Sequence, residues 1–265
     1  MDKEVKLVKK IKCLLRNLGC PRWLHRYGPK TYEVYHHLVA LLVRHMTKLS
    51  YRRVVKLLRL FDIFCPSKSA LQYTAERLPS WLWQRALKLT AGPSHYLVAI
   101  DSTCFSRTNP SYHYLRRIDG KLPKVPIKTS LAFDTRRKTF CAARVRVLPA
   151  HDLRDAPYLL EQSIPSIGAL DKGYDAEALY ERAHELHILL MIPAKKKVKR
   201  GFYRKKMRRL FRLRTYHRRE LVESGIKGTK QKYGSSVSAK KAKTIRQEIY
   251  GRLICHNLSL DFLEI

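Results

Sequence analysis

Acidic residues are scarce in this chain of 265 residues: 21 Asp and Glu stand against 55 Lys and Arg, a formal net charge of +34. That shortage excludes a charge-balanced surface. Cysteine offers no organised pattern either. Six residues (Cys13, Cys20, Cys65, Cys104, Cys141 and Cys255) are scattered, and no two of them form a Cys-x-x-Cys pair. This argues against zinc held by cysteine clusters and against a secreted disulfide framework. Long hydrophobic runs are missing too. The longest apolar stretches, near Leu38–Val43 and Ile188–Ile192, fall far short of the roughly 20 residues that span a bilayer. The first thirteen residues are charged and amphipathic, unlike a secretory leader. The expectation is a soluble, reduced, cytoplasmic protein with no membrane partner.

What is abundant is positive charge. A compact chain carrying that excess repels itself and is attracted to polyanions, so nucleic acid, and a nucleoid-associated location, are expected. Apolar residues make up 45% of the chain, enough for a large core domain and a smaller one.

Residues 1–92 read as all-helical, a probable DNA-binding domain. Val5, Val8, Ile11 and Leu14-Leu15 form one stripe, and a second helix is expected from about Thr31 to His45. Ser50 is a good N-cap for Tyr51–Leu60, and Ser67 can cap a helix through Arg77. Arg52, Arg53, Lys56, Arg59 and Lys68 stud this pair, which suits a helix-turn-helix-like module or a plain bundle with a basic face.

Residues 93–265 change period. Tyr96-Leu-Val-Ala-Ile is an apolar run that ends in Asp101, read as a doubly buried strand whose last carboxylate leaves the core. That acid is either a cap for the following turn or a functional group. Cys104–Lys124 reads as a polar loop. Val125–Phe133 and Thr139–Leu148 alternate apolar and polar around Asp134–Lys138, the mark of a hairpin. Asp152 or Asp155 can cap a helix through Gln162. Ile167–Leu170 is a second apolar run ending in an acid, Asp171, and Asp175 nearby reads best as a helix N-cap. A helix over Ala176–Leu186 and a strand at Ile188–Ile192 follow. Strand, hairpin, helix, strand, helix, strand, helix is the order of an α/β sandwich on a mixed sheet. His151 and His256 read as hydrogen-bonded structural histidines.

Residues 195–219 are densely basic, with Arg204, Lys205, Arg208 and Arg209 at the centre. Interleaved Phe202, Tyr203, Met207, Leu210 and Phe211 point to an ordered basic helix or wing that contacts an anionic partner. At its end Tyr216, Arg219, Glu223 and Lys230 are spaced by three, four and seven residues. On a single helix they fall within an arc of about 60°. A core face does not carry a phenol, a guanidinium, a carboxylate and an ammonium. Gly225 and Gly228 within that helix each weaken it by about 1 kcal/mol relative to Ala.

These four residues match in full the Tyr-x2-Arg-x3-Glu-x6-Lys motif of one group of DDE transposases of prokaryotic insertion sequences. The Ala-Ile-Asp101-Ser-Thr and Ala-Leu-Asp171-Lys-Gly-Tyr-Asp175 segments resemble the first and second acid motifs of that family. The resemblance covers about residues 95–258. It implies a ribonuclease H-like mixed sheet with flanking helices, on which Asp101, Asp171 and Glu223 are the catalytic, metal-binding triad. It further implies two Mg²⁺ ions, with Mn²⁺ as a substitute, and double-stranded DNA bound by a homodimer. Tyr216, Arg219 and Lys230 would then contact DNA alongside Arg204, Lys205, Arg208 and Arg209. Another ribonuclease H-like nuclease, or a transposase-derived DNA-binding protein without catalysis, shares these features.

Overall fold

The computed structural model describes residues 13–24, 26–27, 30–108, 126–148, 150–195 and 200–260. Val5, Val8 and Ile11 of the N-terminal stripe and most of the Cys104–Lys124 loop lie outside them. Residues 13–17 are helical, and α1 (Val34–Thr47), α2 (Tyr51–Leu60), α3 (Lys68–Arg77) and α4 (Ser80–Ala91) follow. The two serine caps form as expected. Ser50 Oγ accepts from the Arg53 amide at 3.4 Å and Ser67 Oγ from the Ala70 amide at 3.3 Å. Each satisfies one of the first-turn amides that the helix itself cannot. Val54, Val55 and Leu58 of α2 and Leu71 of α3 then pack with Ala40 of α1 and Cys65 in a small core of their own.

The sheet follows, with β1 (Leu97–Arg107), β2 (Ile127–Asp134), β3 (Thr139–Arg146), β4 (Ile167–Leu170), β5 (Leu189–Met191) and β6 (Ser236–Val237). Its order is β3-β2-β1-β4-β5, with β6 added to the far end of β1. β1 runs antiparallel to β2 and parallel to β4. Helices α5 (Ala156–Ser163) and α6 (Glu177–Glu185) connect the parallel strands. The basic segment holds α7 (Phe202–Arg209) and α8 (Leu213–His217), followed by α9 (Glu220–Tyr233) and α10 (Ala242–Leu260). A mixed sheet with flanking helices behind a helical N-terminal region is the ribonuclease H-like architecture expected.

Both faces of the sheet are covered. Val98, Ile100, Ala132 and Ala142 pack on one side with Leu159, Leu160 and Tyr180 of α5 and α6. Ala99, Leu131, Phe133 and Ala143 pack on the other with α4, α9 and α10. The hairpin is therefore not half-exposed as its alternation suggested: β2 is buried at every position but Lys128. Helices added on the second face cover what period-two patterning would leave to water.

Three further expectations need correction. β1 does not stop at Asp101 but continues six residues to Arg107, because β2 and then β6 keep pairing with it. Asp155 occupies the N-cap position of α5 without capping it. Its carboxylate, fully buried, pairs instead with Arg146 at 2.6 Å. Asp175 is no helix cap either, since Ala176 holds that place. It lies buried between Arg204 at 2.8 Å and Arg208 at 3.1 Å. His151 and His256 are structural, as read: His151 Nδ1 accepts from the Leu153 amide, and His256 lies within hydrogen-bond distance of Thr229 Oγ1 and of the Lys138 carbonyl.

Candidate active site

The register of the sheet places the first two acids. Ile100 pairs with Leu170 across the parallel β1–β4 ladder, so Asp101 and Asp171 follow side by side. Side chains alternate along a strand. Asp101 therefore leaves β1 on the same face as Ala99 and Phe105, whose core includes Val222 and Ile226 of α9. β4 ends at Leu170, leaving Asp171 exposed at the mouth of a short 3-10 turn, Lys172–Tyr174.

The third acid arrives on α9. Val222 and Ile226 anchor that helix to the sheet, and Gly225 lets it come close: a Cβ there would stand 2.6 Å from the Phe133 ring. The helix is continuous through both glycines, so the first of them serves packing. Tyr216, however, sits on α8, separated from α9 by a break at Arg218 and Arg219. The four motif residues thus do not share one helix, although Arg219, Glu223 and Lys230 do line up. Tyr216 packs against Phe211, with ring centroids 5.8 Å apart.

Arg219 joins two of the acids. Its guanidinium donates to Asp101 Oδ2 at 3.4 Å and to Glu223 Oε1 at 2.8 Å. Burial alone would lower the proton affinity of Arg219, but Asp101, Tyr216 and Glu223 outweigh it and raise that affinity. Asp101 is held above the usual carboxylate range, first by burial. The Ser102 amide and Arg219 pull it down, while Glu223 and Asp171 push it further up. Glu223 and Asp171 therefore both act on Asp101. Lys230 Nζ donates to Thr103 Oγ1 at 2.6 Å and to the Cys104 carbonyl at 2.9 Å, and burial lowers its proton affinity. A cleft of about 620 Å³ opens here, lined by Asp101, Ser102, Thr103, Glu223, Lys227 and Lys230.

The donor set suits a hard divalent cation, which takes carboxylate oxygens. In this structure Arg219 supplies the positive charge between Asp101 and Glu223. Among the described residues no three His, Cys, Asp or Glu side chains are gathered into a metal cage.

Sequence reasoning missed what stands behind Asp101. Ser102 Oγ donates to Ser130 Oγ at 2.9 Å, and Ser130 Oγ to Asp155 Oδ2 at 2.9 Å. Tyr174 OH lies 3.3 Å from Ser102 Oγ. This chain of polar groups pins the strand residue next to the acid. Its sequence signal was a serine in each of two neighbouring strands, Ser102 and Ser130. The basic residues divide as well. Lys205 and Arg209 are exposed, but Arg204 is only 6% exposed. Arg204 and Arg208 spend their charge on Asp175, which makes Arg204 an anchor of α7 rather than the phosphate contact expected of it.

Among the described residues no helix is long and apolar enough to cross a membrane. No curated protein matches the chain. The cryo-EM structure of a piggyBac transposase synaptic complex with hairpin DNA is similar to it at a TM-score of 0.48 and 10% identity, over 97% of this chain and 72% of that one. The model of the transposase DDE domain matches residues 92–258, a span that holds the three acids, Arg219 and Lys230. The chain belongs to the transposase DDE domain family.

Proposed function

We propose that this protein is a DNA transposase that cuts at the ends of a mobile element and joins the freed 3′-hydroxyl to target DNA. The observation that carries this reading is the cleft where β1 and α9 bring Asp101 and Glu223 together, with Arg219 between them and Lys230 beside them. Asp101, Asp171 and Glu223 are the residues that would hold two divalent cations, Mg²⁺ or Mn²⁺. Such ions activate the attacking oxygen and neutralise charge on the phosphoryl and leaving oxygens. The chain supplies the rest. The Ser102 amide orients Asp101 at 2.8 Å. Lys230, fixed to Thr103, presents a positive charge to a phosphate in the cleft. Arg219, released from the carboxylates, can turn its fork to a phosphate, and Tyr216 can bond or stack beside it. Lys205 and Arg209 extend the contact along the DNA backbone, and two copies acting as a homodimer would engage two ends.

A second reading is a transposase-derived DNA-binding protein. It draws on Arg219, which already neutralises Asp101 and Glu223 and leaves no three-residue metal cage among the described residues. Asp101→Asn separates the two. It keeps the size and the Ser102 contact but removes the charge, so Mg²⁺-dependent nicking of duplex carrying the flanking inverted repeats should vanish while binding survives. Wild-type protein that binds such ends and never cuts them, with either Mg²⁺ or Mn²⁺, would leave the binder as the function.

A further inference from the structure

The acidic cleft is polarised along α9. Asp101 and Glu223 are the only carboxylates that line it. Past Glu223 the helix carries no further acid, and its charged residues are Lys227, Lys230 and Lys232. Two of these lysines line the cleft, and they differ in what they do. Lys230 is engaged, since its Nζ donates to Thr103 Oγ1 and to the Cys104 carbonyl. Lys227 is exposed and makes no hydrogen bond or ion pair among the described residues. It follows Glu223 by four residues, so both side chains rise from one helix face, about 6 Å apart along the axis. Glu223 does not engage it, because Arg219 already holds that carboxylate at 2.8 Å. Gln231, four residues further on, continues the same face and also lines the cleft.

A second cation extends the row beyond the helix face. Lys48, exposed at the end of α1, donates from Nζ to the Gln231 carbonyl at 3.4 Å. That long bond occupies one of its three N–H groups. It also sets the ammonium about one helical turn, ~6 Å, past Lys227 along α9. Two solvent-facing ammonium groups thus stand in line with the acids, each with N–H groups left to donate. Cations spaced along a line suit an extended anion with repeating charge better than one compact oxyanion. A DNA strand has that form, with one phosphate for each 3.4 Å of axis per strand. A separation of ~6 Å corresponds to about two nucleotides.

We propose that α9 is a track for one strand of bound DNA as it leaves the acids. Lys227 holds a phosphate beside Glu223, and Lys48 holds another about two nucleotides further along the same strand. The identity of that strand, an element end, rests on the transposase reading. The affinity of the full-length protein for duplex carrying the flanking inverted repeats is measured against salt, without divalent cations so that nothing is cut. Lys227→Ala and Lys48→Ala should each flatten the slope of log K against log[salt] by about 0.9, one phosphate's share. Ethylation of single phosphates then places the contacts. One phosphate whose ethylation weakens the wild type should become indifferent in Lys227→Ala. A second, about two nucleotides away on the same strand, should become indifferent in Lys48→Ala. The wild-type slope in either variant would overturn the track. So would weaker binding with no change at any single phosphate, or contacts that fall on opposite strands. A wild type that shows both contacts yet never cuts, with Mg²⁺ or Mn²⁺, would defeat the transposase reading and leave the track standing. A wild type that binds no duplex would defeat both.

Discussion

Asp175→Asn is the sharpest test of how the basic region is built. The carboxylate is fully buried, and Arg204 and Arg208 are 8% and 25% exposed at the side chain. Asp175 Oδ1 accepts from Arg204 Nε, and Oδ2 accepts from Arg208 Nη2 and from the Lys195 amide at 3.0 Å. Asparagine keeps one acceptor and turns an NH₂ toward a guanidinium, leaving Arg204 charged and buried. Breaking a buried ion pair from one side costs about 3–5 kcal/mol. Arg204 also donates to the Arg200 carbonyl at 2.7 Å, which compensates part of its charge, so the lower end of that range, about 3 kcal/mol, is expected. Urea unfolding read by far-ultraviolet circular dichroism measures it as a drop in midpoint. The pH dependence has a definite sign. Burial would raise the proton affinity of Asp175, but the Lys195 amide, Arg204 and Arg208 outweigh it and lower it. A depressed folded pKa contributes stability that is present above the unfolded value, near 3.9, and is lost as pH falls through the folded one. The wild type should therefore lose its advantage over Asp175→Asn on acidification. A difference below about 1 kcal/mol at neutral pH would refute the argument that Asp175 anchors α7.

The two glycines of α9 should respond in opposite directions. Gly225→Ala forces a methyl against Phe133 and should destabilise by about 1–3 kcal/mol, whereas Gly228→Ala meets nothing within 4 Å and should gain up to about 1 kcal/mol of helix propensity; thermal melts of both variants decide it. Asp101→Asn should make the metal-free protein more stable at neutral pH. The folded pKa of Asp101 is raised, so its ionised form opposes folding, and the gain should shrink as pH falls and the wild-type carboxyl takes up its proton. A lower urea midpoint for Asp101→Asn at pH 7 would show instead that its bond to Arg219 dominates.

Much of this protein is local and therefore legible in its sequence. Ser50 and Ser67 cap their helices because a cap needs only the next turn. Ile167–Leu170 stops where its apolar run stops, whereas the Thr139 strand ends at Arg146, two residues short of the expected Leu148. The spacing of Glu223 and Lys230 is a property of one helix, and Arg219 stands at its N-cap. The excess of lysine and arginine attracts polyanions through long-range electrostatics, which needs no fold at all.

Tertiary structure decided the rest, for reasons of packing and pairing. Asp155 and Asp175 look like caps in sequence. Burial of Arg146, Arg204 and Arg208 nearby makes an ion pair the better use of each carboxylate, and those partners lie 9 to 33 residues away. β1 outlasts its apolar run because β2 and β6 supply hydrogen bonds that no local pattern encodes. Gly225 reads as a weak point in a helix until Phe133 is seen against it. The adjacency of Asp101 and Asp171 follows from strand register, across 70 residues of chain. The row of Lys227 and Lys48 exists only because α1 ends against the last turn of α9. Contacts between residues so distant in sequence are set by which surfaces bury together, and no local periodicity specifies them.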